Sequence, residues 1–223
     1  MAAMYAVYHG SSGIKRIACR VHAFAQLLKQ KVEVFGYEII NGSAFFDTLT
    51  IDVGSAGQDT TMIHRIAVDM GINLRRVDER HVGVTLDESV APCDLVDLVN
   101  IFALASGSSP VTLAALRIPE KMSPNAPSAL IRTSRYLQHP VFNSHHSETE
   151  MLRYLHHLQA KDLSLVHAMI PLGSCTMKLN STSSMIPLTW PEFSNIHPFV
   201  PLEQAKGYAQ IVEVGVVFVM YTG

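Results

Sequence analysis

From Ser12 to about Phe35 the apolar residues Ile14, Ile17, Ala18, Val21, Ala25, Leu28 and Val32 recur at steps of three and four, which predicts one face of an amphipathic helix. Ser11 or Ser12 supplies capping chemistry at its start, and Gly36 closes it. The period then drops to two. In FFDTLTIDV, Leu49, Ile51 and Val53 alternate with Thr48, Thr50 and Asp52, as expected of a strand with one buried face. After a Gly-Ser-Ala-Gly turn, TTMIHRIAVDMG returns to helical spacing, with Met62, Ile63, Ile66 and Met70 inward and Gly71 as its stop. INLRRV and HVGVTL predict two short strands joined through DER into a hairpin. PCDLVDLVNIFAL predicts a third helix, with Pro92 where a missing N–H costs least.

The order helix, strand, helix, strand, strand, helix makes a compact α/β layer, with helices against a small antiparallel or mixed sheet, ending near Leu104. Ala105 to Ser128 is rich in Ser, Pro and Ala and reads as a linker with one short helical turn around Val111 to Leu116. Order resumes at SETEMLRYLHHL, where Ser147 and Glu150 form a capping box ahead of Met151, Leu152, Leu155 and Leu158. DLSLVHAMIPLG is extended or partly helical and leads into a turn at Gly173. LTWPEFSNIHPFVP holds three prolines and predicts an irregular path over a surface.

Composition works by exclusion. A 48 % hydrophobic content over 223 residues is ample for a core, whereas 16 % charged residues and a net charge of −2 leave no field of one sign to follow a nucleic-acid backbone. No nucleic-acid partner is expected. Cys19, Cys93 and Cys175 are odd in number and widely spaced, which argues against a disulfide framework and for a reducing compartment. The stretch MAAMYAVYHGSSG has neither the basic flank and apolar core of a signal peptide nor the character of an Arg-rich transit segment. IVEVGVVFVMYTG, from Ile211, is the most apolar run, but it is too short to span a bilayer and carries Glu213, so no membrane partner is expected.

Chemistry concentrates in IPLGSCTMKLNSTSS. The Gly173 to Asn180 loop offers small residues and hydroxyls, the materials of an anion or phosphate nest, with Lys178 as a cation. It lacks P-loop spacing, and residue types alone leave both a ligand loop and a polar surface turn open. Cys175 is a lone thiol with no base assigned to it. His139, His145, His146, His156, His157 and His167 crowd one region, yet His156 and His157 are adjacent and diverge on a helix. Solvated or singly hydrogen-bonded histidines are therefore favoured over a metal site. VFNSHHSE, just before the capping box, is the exception to that reading, offering Asn143, Ser144 and His145 as candidates for a shared pocket. No Gly-x-Ser-x-Gly elbow, Rossmann fingerprint or paired-carboxylate pattern stands out.

From HPVFNSHHSETEMLRYLHHL through IPLGSCTMKLN to FSNIHPFVPLEQAKGY the chain resembles the glycine dehydrogenase (decarboxylating) family, the P-protein of the glycine cleavage system. IPLGSCTMKLN is highly characteristic of that family. The resemblance continues upstream through TLDESV and FFDTLTI to AVYHGSSGIKRIACRVH, about residues 4 to 210. It implies a pyridoxal-phosphate enzyme built from two related fold-type-I halves, which decarboxylates glycine and passes the aminomethyl group to the lipoyl arm of the H-protein. On this reading the chain is an internal fragment. Residues 4–128 are the small C-terminal subdomain of the first half, 129–210 are a connecting helix and the start of the second, catalytic half, and 211–223 are an atypical, nearly uncharged tail.

The family's Schiff-base lysine belongs to a later His-Lys-Thr motif. No such triplet occurs in these 223 residues, so no catalytic residue is assigned and activity of this chain alone is not expected. The resemblance implies that Gly173, Ser174, Cys175, Thr176, Met177, Lys178 and Asn180 line the cofactor and substrate pocket. Lys178 would serve as a cation for carboxylate or phosphate, not as the Schiff base. Asn143, Ser144, His145 and His197 sit in matching segments. The implied partners are glycine, the H-protein lipoyl domain, and a homodimer mate or the rest of the P-protein. The competing reading is a non-catalytic module that pairs with full-length subunits. Apolar surface would be exposed where such partners pack. The implied location is the mitochondrial matrix in a eukaryote and the cytoplasm otherwise.

Overall fold

A computed structural model describes residues 1–42, 44–116, 128–162 and 181–222, which fall into two compact units, Met1–Asp162 and Leu163–Gly223. In the first unit, α1 (Ala2–Val34) contains the expected amphipathic helix and extends beyond it at the N-terminal side. The extension is set off by Gly10, whose φ of 62° and ψ of −177° interrupt the helix. Val21, Leu28 and Val32 are buried on the face that the periodicity marks. Gly36, at φ 90°, donates its N–H to Glu33 O and ends the helix.

The sheet consists of β1 (Glu38–Ile39), β2 (Thr48–Asp52), β3 (Arg75–Arg76) and β4 (His81–Thr85), antiparallel throughout in the order β1-β2-β4-β3. The register pairs Leu49 with Val84 and Ile51 with Val82. This brings the apolar residues of neighbouring strands onto one face, where α2 (Thr60–Asp69) contributes Ile63 and Ala67 and α3 (Pro92–Ala105) contributes Leu95, Val99 and Phe102. The α/β character read from the pattern is present as mixed helix and small antiparallel sheet. Pro92 opens α3, and Gly71, at φ 74°, closes α2.

Asp52 departs from its place on the polar side of the alternation. Only 5 % exposed, it receives both Nε and Nη2 of Arg80 at 2.7 Å, and the Ser55 N–H at 3.2 Å. Hydrogen bonding by that guanidinium holds the Asp52 carboxyl below its ordinary 3.8, against the opposing push of burial. As pH falls, the unfolded chain therefore takes up this proton first. The stabilising contribution is complete above about pH 3.8 and is lost as pH drops through the lowered native value. Arg80→Gln is expected to flatten the acid limb of a urea-unfolding stability curve recorded between about pH 5 and pH 3. An unchanged slope would dismiss the pair as its source.

The segment after α3 is held more firmly than a linker reading implies. The Asn100 side chain donates to Val111 O at 3.1 Å and accepts the Val111 N–H at 2.7 Å, and α4 (Leu113–Leu116) then places Leu116 fully in the core. Farther on, α5 (Glu148–Gln159) begins as the capping box predicts, with Ser147 Oγ accepting the Glu150 N–H at 3.3 Å. None of its residues is buried.

In the second unit the proline-rich stretch LTWPEFSNIHPFVP is irregular from Asn195 to Pro201, as expected, while its earlier residues enter single turns. The described elements of the unit are α6 (Thr182–Met185), a 3₁₀ turn at Ile186–Thr189, α7 (Pro191–Ser194), a 3₁₀ turn at Leu202–Gln204 and α8 (Lys206–Thr222). Pro191 sits in the first turn of α7, where it has no hydrogen bond to break. Tyr208 OH donates to Phe193 O at 2.6 Å. Among the residues described with burial in this unit none is buried, and Phe199 and Leu202 are 90 % and 87 % exposed. No helix among the described residues is long and apolar enough to cross a membrane.

Candidate functional site

The break in α1 organises a site. A helix interrupted by a glycine outside helical geometry leaves carbonyls at the break that need other donors. His146 donates from Nδ1 to Tyr8 O at 2.7 Å, and Tyr136 OH donates to Ser11 O at 2.7 Å. Because a carbonyl only accepts, the first bond places a proton on Nδ1 of His146. Residues 134–146 are thereby strapped across Gly10. The 3₁₀ turn Pro140–Asn143 within the strap packs against α1, with Phe142 O facing Gly10.

Inside the strap, the Asn143 amide donates to Leu137 O and to His139 O, each at 3.1 Å. These bonds close a loop in which Leu137 adopts φ 50°, the one positive φ outside glycine among the described residues. A left-handed leucine costs on the order of 1–2 kcal/mol, and the Asn143 bonds offset it. His139 Nδ1 accepts the Val141 N–H at 3.2 Å and caps the turn. Ser144 Oγ donates to Pro140 O at 2.7 Å, and His145 stacks on Tyr154 with centroids 4.2 Å apart.

Between the strap and α1 lies an open cleft of about 600 Å³, lined by Ser11, Ser134, Arg135, Tyr136, Leu137, Gln138, Pro140 and Asn143. Of the residues that the motif reading singled out, Asn143 lines it, whereas Ser144 and His145 do not. His197 lies in the second unit, where its Nδ1 accepts the Phe199 N–H at 3.0 Å. Gly173, Ser174, Cys175, Thr176, Met177, Lys178 and Asn180 lie outside the described residues, as do His167 and the DLSLVHAMIPLG stretch from Leu163 on. Arg135 and Gln138 went unnoticed in the sequence, and Ser11 was read only as a helix cap. The polar RTSRY run was visible, but its return to Ser11 across 125 residues was not.

A second cleft of about 610 Å³ lies at the start of α2, lined by Gln58, Asp59, Thr60, Thr61, Arg76, Glu79 and Arg80. Its charges answer one another: Arg80 holds Asp52, and Arg76 acts on Asp59. Nearby on α2, His64 buries Nε2 without a hydrogen-bond partner, and that desolvation, then Arg76, keeps its pKa below 6.5. No cluster of three His, Cys, Asp or Glu side chains suited to a metal occurs among the described residues.

Pyridoxal phosphate, which the family resemblance implies, needs a lysine to hold it, a carboxylate at its ring nitrogen and a phosphate cup. The strap cleft offers Arg135 for an anion, but neither a lysine nor a carboxylate lines it. The strap cleft therefore does not make that cofactor's site, and no step through it is derived.

Residues 1–102 match the family model described as Glycine cleavage system P-protein. A relative from Schizosaccharomyces pombe, whose name includes glycine dehydrogenase (decarboxylating), mitochondrial, is 49 % identical over 96 % of this chain. The chain spans 21 % of that relative's length.

Proposed function

The chain belongs to the glycine cleavage system P-protein family, and on that premise we propose that it serves glycine decarboxylation with transfer of the aminomethyl group to the lipoyl arm of an H-protein. The carrying observation is the 49 % identity, which runs through 96 % of the chain and is not confined to one motif. Since the chain spans 21 % of the relative, the activity is proposed for an assembly that includes the family's remaining parts. Pyridoxal phosphate is the proposed cofactor of that assembly, held by a lysine outside this chain.

Residues 4–128 are proposed as the small subdomain closing the first fold-type-I half, and 129–210 as the opening of the second. Gly173, Ser174, Cys175, Thr176, Met177, Lys178 and Asn180 are proposed to wall the cofactor and glycine pocket, with Lys178 as a cation toward carboxylate or phosphate. A mitochondrial location is proposed following the name of the relative, and the matrix within it following the family resemblance.

A chimera tests the reading. The matching stretch of the Schizosaccharomyces pombe relative is replaced by this chain, and glycine-dependent carbon dioxide exchange is measured with H-protein and pyridoxal phosphate. Retained exchange is expected, with loss in the Lys178→Ala version through a rise of about tenfold in KM for glycine. A folded chimera that binds pyridoxal phosphate yet gives no exchange would overturn the proposal.

A further inference from the structure

We propose that the strap cleft binds the oxyanion group of a small metabolite, a carboxylate or a phosphate, on the guanidinium of Arg135. Three features of the cleft support this site, and none depends on the family reading. The first is its size: about 600 Å³ falls in the range of pockets that take small ligands. The second is charge. Arg135 is the only charged residue on the wall, and it belongs to none of the ion pairs among the described residues, which are Lys29–Glu33, Arg80–Asp52 and His81–Asp78. The cleft beside α2 shows the opposite arrangement, where Asp59 and Glu79 share the wall with Arg76 and Arg80. An anion entering there meets carboxylates, whereas an anion in the strap cleft meets a fork of five N–H donors with no competing acid.

The third feature is construction. The Asn143 amide and the Tyr136 hydroxyl are committed to the backbone around the cleft, which fixes its shape and leaves Arg135 and Gln138 as donors for a guest. Leu137 is held at φ 50° between them. A left-handed leucine persists only where its surroundings over-determine it, and such residues cluster at ligand clamps.

The test uses the full chain labelled with ¹⁵N, titrated with inorganic phosphate and separately with acetate at constant ionic strength maintained with chloride. Saturable shifts are expected at the amides of Ser11, Gln138 and Asn143. Arg135→Gln should weaken binding by about tenfold or more, and Arg135→Lys should fall between the two. Arg76→Gln, on the other cleft, should bind as wild type does. Saturation by phosphate alone assigns a phosphoryl guest and by acetate alone a carboxylate; saturation by both supports the shared chemistry. Equal binding by wild type and Arg135→Gln, or no saturable shift with either anion, overturns the proposal. Because Arg135 is exposed, the variant spectra should keep the wild-type dispersion, and loss of binding then reports the guanidinium.

Discussion

Gly10→Ala lowers the unfolding free energy of the first unit by about 3 kcal/mol or more, read as a fall in the urea midpoint at unchanged slope. Two costs combine. A φ of 62° with ψ of −177° lies in backbone territory that only glycine enters readily. A Cβ placed there would also stand 2.8 Å from both Phe142 O and His146 Cε1. The first of these neighbours is backbone in the 3₁₀ turn, so relief requires the strap to lift. Gly57→Ala supplies the control, since Gly57 has φ 70° but nothing within 4 Å, and its expected cost is about 1–2 kcal/mol. Hydrogen exchange should quicken at residues 134–146 in Gly10→Ala and not in Gly57→Ala. Equal losses in the two variants would show that the strap does not bear on Gly10.

Phe102→Ala carries the other large effect, about 3–5 kcal/mol. Phe102 is fully buried at the centre of the core, with its ring edge-on to Tyr37 at a centroid distance of 5.4 Å. The Tyr37 hydroxyl donates to Phe102 O at 3.2 Å, and burial pushes its pKa up to about 12. An unfolded tyrosine ionises near 10, so this group subtracts stability as pH climbs from about 10 toward 12. Removing the Phe102 ring admits water beside the phenol. The Tyr37 titration, followed by ultraviolet absorbance, should therefore move back toward 10 in the variant. A wild-type titration together with a small stability loss would mean that the site collapses around the missing ring.

Much of the first unit was legible because its elements are long enough for a period to repeat. The helical face from Ile14 to Val32 and the alternation from Thr48 to Val53 each repeat several times; the helix folds as read, and the strand forms over Thr48–Asp52 with Asp52 as the exception. β1 has two residues and no period to detect. The helical segment before Gly10 was hidden by HGSSG, whose serines read as the cap of a helix starting there although another helical segment precedes them. Alternation placed Asp52 toward solvent, because nothing local announced that Arg80, 28 residues later, would cover it. The candidate cleft was harder still. Asn143 was noticed as a polar side chain near a motif, but its amide proves to hold the turn, and the groups left free are Arg135 and Gln138. A sequence shows which residues own donors; it does not show which donors the backbone has already claimed.

The sheet ends at both sides in strands of two residues, Glu38–Ile39 and Arg75–Arg76. A stray chain seeking to extend it would find little more than two rungs, guarded on one side by paired positive charges. The Ile- and Val-rich central strands are thus denied the template on which amyloid-like stacking grows. At high concentration, self-association should start elsewhere, from exposed apolar side chains such as Trp190, Phe199 and Leu202.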